Sequence, residues 1–451
     1  MQSINPYTGE VIETFSDFSD QQVKAAIDQA HETFHAWQKT TPGHRSLLMN
    51  KVAALLRENI DEYSRTITLE MGKPITESGK EVEKCAWVCE YYAAEAAGFL
   101  SPEHILTDAG SSYVSYEPLG IILGIMPWNF PFWQVFRFAV PTLMAGNTVL
   151  LKHASNVQGC ARHIENIFLQ AGFDPGTFQN MAITSDRMQP VIAHPLVRAV
   201  SLTGSAFAGR QVAENAGVHI KKTVLELGGS NAFIVLDDAD LEKAVEVGIL
   251  ARMQNAGQSC IAAKRFILHE KIADQFTGMF LNRMKRIKSG DPLDPNTEIG
   301  PLASVQQAET VRKQVEASVK MGARIIAGGI QDKAFFTPTL LLDVHPGMPV
   351  FDEEVFGPVT PIIVVKSSEE AIRLANLSDY GLGVSVFTGN VEKVNAMIRE
   401  FEDGAVFVNS MVKSDPRLPF GGTKQSGYGR ELAINGIREF VNVKTVFINA
   451  P

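Results

Sequence analysis

The chain has only four cysteines, Cys85, Cys89, Cys160 and Cys260, among 451 residues. So few thiols exclude a disulfide framework. Cys85 and Cys89 stand four apart in a helical-looking stretch and share a face. No further Cys or His lies near enough in sequence to complete a metal site, so core packing is expected there and no metal. Charge is sparse too, at 20% of residues, with a formal net charge of -9 and no long run of one sign. That removes the basic footprint nucleic-acid binding requires. The most apolar stretch, Phe130 to Leu151, is interrupted by Gln134, Arg137, Pro141 and Asn147, which argues against a membrane span. Met1-Gln2-Ser3-Ile4-Asn5-Pro6 lacks the basic-then-apolar form of a signal peptide. Internal repeats, low-complexity segments and the G-x-G-x-x-G fingerprint are missing as well. Together these absences point to a globular protein of a reducing cytoplasm, where a reactive thiol would stay reduced.

What is present is a large apolar fraction, 45%, in a chain long enough to bury a substantial core. Val23, Ile27, Ala30, Phe34 and Trp37 recur at helical spacing, with Ser19 and Asp20 available as caps. Leu47, Val52, Leu55 and Leu56 predict a second helix. From about residue 120 short apolar runs alternate with helical stretches: Ile121 to Met126, a helix from Pro131, Thr148 to Leu151, a helix near Gly159 to Ala171, Ala199 to Leu202, a helix from Ser205, and Thr223 to Leu225. A second series follows Cys260, with Phe266 to Leu268, Arg324 to Ala327, Thr360 to Val365, Val384 to Phe387 and Ala405 to Val408 as strands and Glu369 to Asn376 as a helix. This alternation predicts an α/β fold with two parallel-sheet lobes, the segment from Glu226 to Cys260 crossing between them. Ser112 to Tyr116 and Val441 to Ile448 read as strands with no partner inside a lobe, and unpaired strands invite one.

Two segments carry most of the chemistry. Leu225-Glu226-Leu227-Gly228-Gly229 runs a lone carboxylate into a glycine pair, and Gly257-Gln258-Ser259-Cys260 presents a lone thiol after a small polar turn. A base and a thiol nucleophile are the minimum kit for covalent catalysis on a carbonyl. Asn129, in Pro127-Trp128-Asn129-Phe130-Pro131 between a strand and a helix, has an amide able to donate to an oxyanion or to serve as a turn former. Thr203-Gly204-Ser205 follows an apolar run and opens a helix, an anion-binding arrangement. Lys152 ends another strand, where it could meet a ribose or phosphate.

These motifs, with Glu353-Glu354-Val355-Phe356-Gly357-Pro358 and Pro419-Phe420-Gly421-Gly422, follow one another along the chain in an order that closely resembles the aldehyde dehydrogenase superfamily. The resemblance runs from Asn5-Pro6-Tyr7-Thr8-Gly9-Glu10 to the C-terminal strand. More narrowly, Lys152-His153-Ala154-Ser155, Cys260-Ile261-Ala262-Ala263-Lys264-Arg265 and Met411-Val412-Lys413-Ser414-Asp415-Pro416-Arg417 look like bacterial succinate-semialdehyde dehydrogenases. The resemblance implies two Rossmann-like lobes, cofactor-binding over residues 1–104 and 120–227 and catalytic over 228–430. A small β oligomerisation element over 105–119 and 431–451 would join subunits into a homodimer or homotetramer.

It also implies the roles. Cys260 would attack the aldehyde carbon, Asn129 and the Cys260 N–H would hold the oxyanion, and Glu226 would activate water to hydrolyse the thioester. Relatives that pass the acyl group to coenzyme A need no such base, so Glu226 favours hydrolysis. Trp128, Lys152, Ser155, Thr203, Gly204, Ser205, Glu354 and Phe356 would bind the cofactor. NAD-selective sites place an acidic residue on the ribose 2′-hydroxyl. NAD-using relatives tend to carry a Glu where this chain has Ser155, and no carboxylate lies between Lys152 and Glu165. NADP is therefore expected to be preferred, or shared with NAD. Arg137 is the one charged residue between Glu117 and Lys152, in an aromatic stretch. A poorly solvated Arg wants an anion, either a protein carboxylate or, with Ser414, the far carboxylate of succinate semialdehyde. The competing readings are another short aldehyde, such as glutarate semialdehyde or an uncharged one, a catalytically silent member of the fold, and, most distantly, a metalloprotein built on Cys85 and Cys89.

Overall fold

The computed structural model describes residues 1–449. The first expected helix forms as Asp20–Trp37, its start fixed by a reciprocal cap in which Ser19 and Gln22 bond each other's backbone N–H. Ala26, Ile27, Ala30, Phe34 and Trp37 are buried from it. The second forms as Pro42–Glu58, but Leu47 faces solvent and Leu48 and Met49 take the core positions instead. The long helix Ile75–Phe99 packs against both Pro42–Glu58 and Ile60–Met71.

The first sheet grows outward from Ile121–Met126 through Thr148–His153 to Phe178–Asn180. The chain then crosses to the other side of the starting strand and adds Val197–Thr203 and Lys222–Glu226, all parallel. These strands are short apolar runs because helices cover both faces; all six residues of Thr148–His153 are buried. The order reverses between Ile121–Met126 and Val197–Thr203. Ligands of open parallel sheets sit beyond the strand C-termini at such a reversal. Here those ends lead into Pro127-Trp128-Asn129 and Gly204-Ser205.

The second sheet has the spatial order Arg324–Ala327, Thr339–Leu342, Val359–Val365, Ala263–His269, Asn231–Val235, Val384–Phe387 and Val406–Val408, with Arg324–Ala327 alone antiparallel. The expected crossing is much shorter than 226–260. The chain changes sheet over residues 227–230, and Asn231–Val235 is already a central strand, followed by the helix Leu241–Met253. The chain also returns. Gly427–Tyr428 pairs antiparallel with the end of Lys222–Glu226, so these residues join the first sheet rather than the second. Ser426, fully buried, stitches the two passages: the Leu227 N–H donates to its carbonyl at 3.0 Å and its hydroxyl donates to the Gly228 carbonyl at 2.7 Å.

The two partnerless strands find each other. Val441–Ile448 pairs along its whole length with Ser111–Pro118, and Glu103–His104 completes a three-stranded sheet. Among the described residues no helix is long and apolar enough to cross a membrane, and no group of three or more His, Cys, Asp or Glu could hold a metal ion.

Candidate active site

Two cavities meet at Cys260. One lies at the strand-order reversal, walled by Pro127, Trp128, Asn129, Thr203, Gly204 and Ser205 on one side and Gly228, Glu354 and Phe356 on the other. The second opens against the helix Ile75–Phe99, between Phe130, Trp133, Arg137 and Ser414. Cys260 lines both.

A strained turn presents the cysteine. Asn255, Ala256 and Gly257 all have left-handed backbone, with φ of 53°, 51° and 76°. For the two non-glycines this costs about 1–3 kcal/mol each. The buried Arg252 guanidinium offsets it by donating to the Gly257 and Ala263 carbonyls at 2.9 Å and also to the Gly357 carbonyl. A side chain at Gly257 would meet Arg252 Nη2 at 2.2 Å, so only glycine fits. Lys264, fully buried, donates to the Cys260 carbonyl at 3.0 Å, to the Gly229 carbonyl and to Glu354 Oε1 at 2.7 Å. Asn231 Nδ2 donates to the same Cys260 carbonyl at 3.1 Å. Burial is the main force on the thiol, pushing it up to about 11; Arg137 and Lys264 pull the other way.

Asn129 is buried, its Nδ2 donating to the Gln258 carbonyl at 3.1 Å and its own carbonyl accepting from Asn255 Nδ2 at 2.8 Å. Its loop is pinned to the cysteine turn from both ends. The amide has a second N–H beyond the one Gln258 takes. The adjoining helix begins at Trp133 rather than Pro131, because the Glu81 carboxylate accepts from the Phe132 and Trp133 N–H groups at 2.9 Å each. Glu81 is ion-paired with buried Lys73.

Glu226 ends its strand two residues before the glycine pair. It is buried, neither carboxylate oxygen has a hydrogen-bond partner, and it lines neither cavity. Gly421 leaves room for it; a Cβ there would meet Glu226 Oε1 at 2.7 Å. Burial holds the carboxyl well above the usual carboxylate range; nearby Arg137 opposes this and Glu431 reinforces it. The Glu226 charge adds a small upward push to the Cys260 thiol. Asn129 and Cys260 thus share one cavity wall, while Glu226 is buried outside it.

The glycine pair allows close approach. A Cβ on Gly228 would sit 2.2 Å from Glu354 Oε2 and one on Gly229 would sit 2.8 Å from the Cys260 carbonyl. Glu354 Oε1 accepts from the Gly229 N–H at 3.0 Å, and Phe356 meets Trp128 edge to face at 5.8 Å. Ser205 caps the helix Ala206–Val218, accepting from the Ala208 N–H at 3.2 Å. Lys152, next to last in the strand Thr148–His153, and Ser155, just past that strand's end, do not line this cavity. Lys152 is buried and donates to Ser185 Oγ at 2.9 Å; burial lowers its pKa and the nearby Asp186 raises it. The helix that follows, Gln158–Ala171, has its N-terminus already filled. Glu70 accepts there from the Gly159 and Cys160 N–H groups at 2.9 Å, so that end offers no phosphate site.

Arg137 takes the protein-carboxylate alternative. It is buried, ion-paired with Glu431, donates to Thr203 Oγ1 at 3.2 Å and lies over the Phe420 ring at 4.6 Å. It still forms part of the second cavity's wall. Ser414 Oγ accepts from Trp133 Nε1 at 3.1 Å and from Lys84 Nζ at 2.8 Å.

Sequence reasoning assigned no role to seven polar residues here. Lys264 was legible as a lysine four residues after the cysteine. Glu77, Lys80, Glu81 and Lys84 form a charged stripe at helical spacing on an otherwise apolar helix face. Gln258, whose Oε1 accepts from the Ala303 N–H at 2.9 Å, looked like turn filler, and Glu431 gave no local signal.

Comparison with known proteins follows the same lines. Residues 1–446 match the aldehyde dehydrogenase family. A probable succinate-semialdehyde dehydrogenase of the NADP(+) type from Synechocystis is 49% identical over 449 residues, 99% of each chain. Succinate-semialdehyde dehydrogenase 1 of the NADP(+) type from Mycobacterium tuberculosis is 45% identical over 452 residues, again 99% of each chain. The crystal structure of succinic semialdehyde dehydrogenase from Streptococcus pyogenes in complex with NADP+ superposes with a TM-score of 0.97 at 40% identity, covering 100% of both chains.

Proposed function

We propose that this chain, which belongs to the aldehyde dehydrogenase family, oxidises succinate semialdehyde to succinate with NADP, and with NAD as a weaker alternative. The observation that carries this reading is the meeting of the two cavities at one sulfur. One is walled by the motifs expected to bind a dinucleotide; the other is a passage of about 180 Å³, below the size of sites for larger ligands and suited to a short aldehyde.

In this reading the Cys260 thiolate adds to the aldehyde carbon, and the negative charge moves to the carbonyl oxygen. Asn129 Nδ2 and the Cys260 N–H donate to that oxygen. Trp128, Thr203, Gly204, Ser205, Glu354 and Phe356 hold the nicotinamide end of the cofactor, and Lys152 and Ser155 hold its adenosine ribose. The glycine at 228, where a Cβ would collide with Glu354, supports that fit. When bound, the cofactor would supply the hydride acceptor that oxidation of the tetrahedral carbon requires. Cys260 is left as a thioester. Glu226 swings toward the sulfur, takes a proton from water as it attacks, and the thiolate leaves with the acid released.

Gly228→Ala is expected to weaken cofactor binding by about tenfold, since overpacking of about 1–3 kcal/mol falls on Glu354. Titration of cofactor fluorescence checks it, with thermal unfolding as the control for folding. The function itself is tested by steady-state kinetics on succinate semialdehyde, glutarate semialdehyde and butanal, with NADP and NAD at equal concentration. The highest kcat/KM is expected for succinate semialdehyde with NADP. Strong preference for NAD would show that Ser155 has been misread. Preference for butanal would favour the uncharged-aldehyde reading, which the pairing of Arg137 with Glu431 keeps in view.

We also infer a homo-oligomer built through the three-stranded sheet. Val441–Ile448 is its outer strand, and Val443, Phe447 and Ile448 are exposed on it. Among the described residues, nothing pairs with its free edge.

A further inference from the structure

We propose that Lys84, on the helix Ile75–Phe99, is the residue that selects a carboxylate-bearing aldehyde, holding the substrate's far carboxylate together with Ser414. The inference rests on the reading above and assigns the charge recognition to a residue no motif had marked.

The argument is a charge census of the passage. Arg137 is balanced by Glu431, and Glu81 is balanced by Lys73. Asp415, close by, is held by Arg417 through two bonds of 2.9 and 2.8 Å. Lys80 and Lys413 are exposed at the mouth, where they steer anions inward rather than bind them. Glu77, also shielded and without an ion-pair partner among the described residues, accepts from the Asn255 N–H at 2.8 Å and is pushed up to about 7 by burial, so among the cations of the passage Lys84 alone is both shielded and unbalanced. Among the described residues its Nζ has no carboxylate within ion-pair distance. It donates to a neutral hydroxyl, Ser414 Oγ at 2.8 Å, and lies 4.0 Å from the centre of the Trp133 ring. An ammonium has three N–H donors, so the Ser414 bond leaves capacity for an anion. A charge withdrawn from water without a partner is costly, and the costliness vanishes when an anion arrives. The same balance explains the direction of its pKa, lowered to about 8 by burial and by Arg137, with Cys85, Glu81 and Asp415 opposing. Cys260 and Lys84 line one narrow passage, so an aldehyde at the sulfur can present its other end to the ammonium.

The test compares wild type with Lys84→Met and Lys84→Arg, using succinate semialdehyde and butanal, a four-carbon aldehyde without the carboxylate. Methionine keeps the stem on Trp133 while removing the charge. Lys84→Met is expected to raise KM for succinate semialdehyde at least tenfold, with KM for butanal and kcat for both within about twofold, and Lys84→Arg should restore part of the loss. Equal losses on both aldehydes, or a preference that survives in Lys84→Met, would overturn the proposal. A wild type that fails to prefer succinate semialdehyde over butanal would instead overturn the substrate reading on which it rests.

A second measurement needs no change at Lys84. The ratio of kcat/KM for the charged over the uncharged aldehyde cancels the ionisation of Cys260 and Glu226. Glu77, on the same passage and pushed up to about 7 by burial, would contribute its own fall, so the ratio is taken in Glu77→Gln. Loss of the Lys84 proton should then lower the ratio above about pH 8. A ratio flat to pH 9.5 would sink the assignment.

Discussion

Cys260→Ala is expected to lower kcat/KM for every aldehyde by about 10⁴-fold or more, because no second thiol can take over the covalent step. The three other cysteines are buried, and burial holds all of them well above the ordinary thiol range. The same asymmetry predicts labelling. Iodoacetamide should modify Cys260 alone in the folded protein. With the thiol at about 11, its rate should climb about tenfold per pH unit from pH 7 to 10. Substrate should protect it. Full activity in Cys260→Ala, or rapid labelling at Cys85 in the native state, would contradict the assignment.

Glu226→Gln carries the second large effect, and its signature separates it from the first. On the proposed chemistry the hydride leaves before water enters, so the variant should still release one equivalent of reduced cofactor per site in a burst. Turnover should then fall by about 10²–10⁴-fold, the usual contribution of a general base. In the wild type, burial keeps the Glu226 carboxyl neutral well above the usual range, so kcat should rise with pH as it ionises. The step should vanish in Glu226→Gln. Loss of the burst together with turnover would mean that Glu226 acts earlier, and unchanged turnover would mean that another group activates the water.

Much of this was legible before any coordinates. The alternation after residue 120 encodes four of the five parallel strands of the first sheet, since buried parallel strands are short apolar runs between caps and turns; the three-residue Phe178–Asn180 went unseen. Asn231–Val235 and Thr339–Leu342 escaped for a related reason. Each is a brief apolar segment without alternation, and the first follows so closely on the glycine pair that it read as a link. Cys260, Asn129 and Glu226 stood out because their residue types suit one chemistry. Arg137 was rightly marked as needing an anion, but nothing local could choose between Glu431 and substrate. That choice is made by tertiary packing, which brings the C-terminal Glu431 beneath the first sheet. Lys84 was hidden by its setting, a charged stripe on a helix that ordinarily means a solvated face.

The twin passages of chain at 227–230 and 420–427, stitched by Ser426, have a mechanical corollary. Two covalent strands laid side by side behave as a pivot, and any rotation of one lobe on the other must turn about it. Points near a pivot move least. The reacting groups sit beside it, while the mouths of both clefts lie farther out along the lever arm. Opening about that pivot would widen the rim, where an aldehyde enters and an acid leaves, while the sulfur and the amide hold station at the hub and the swing of Glu226 stays a local side-chain motion.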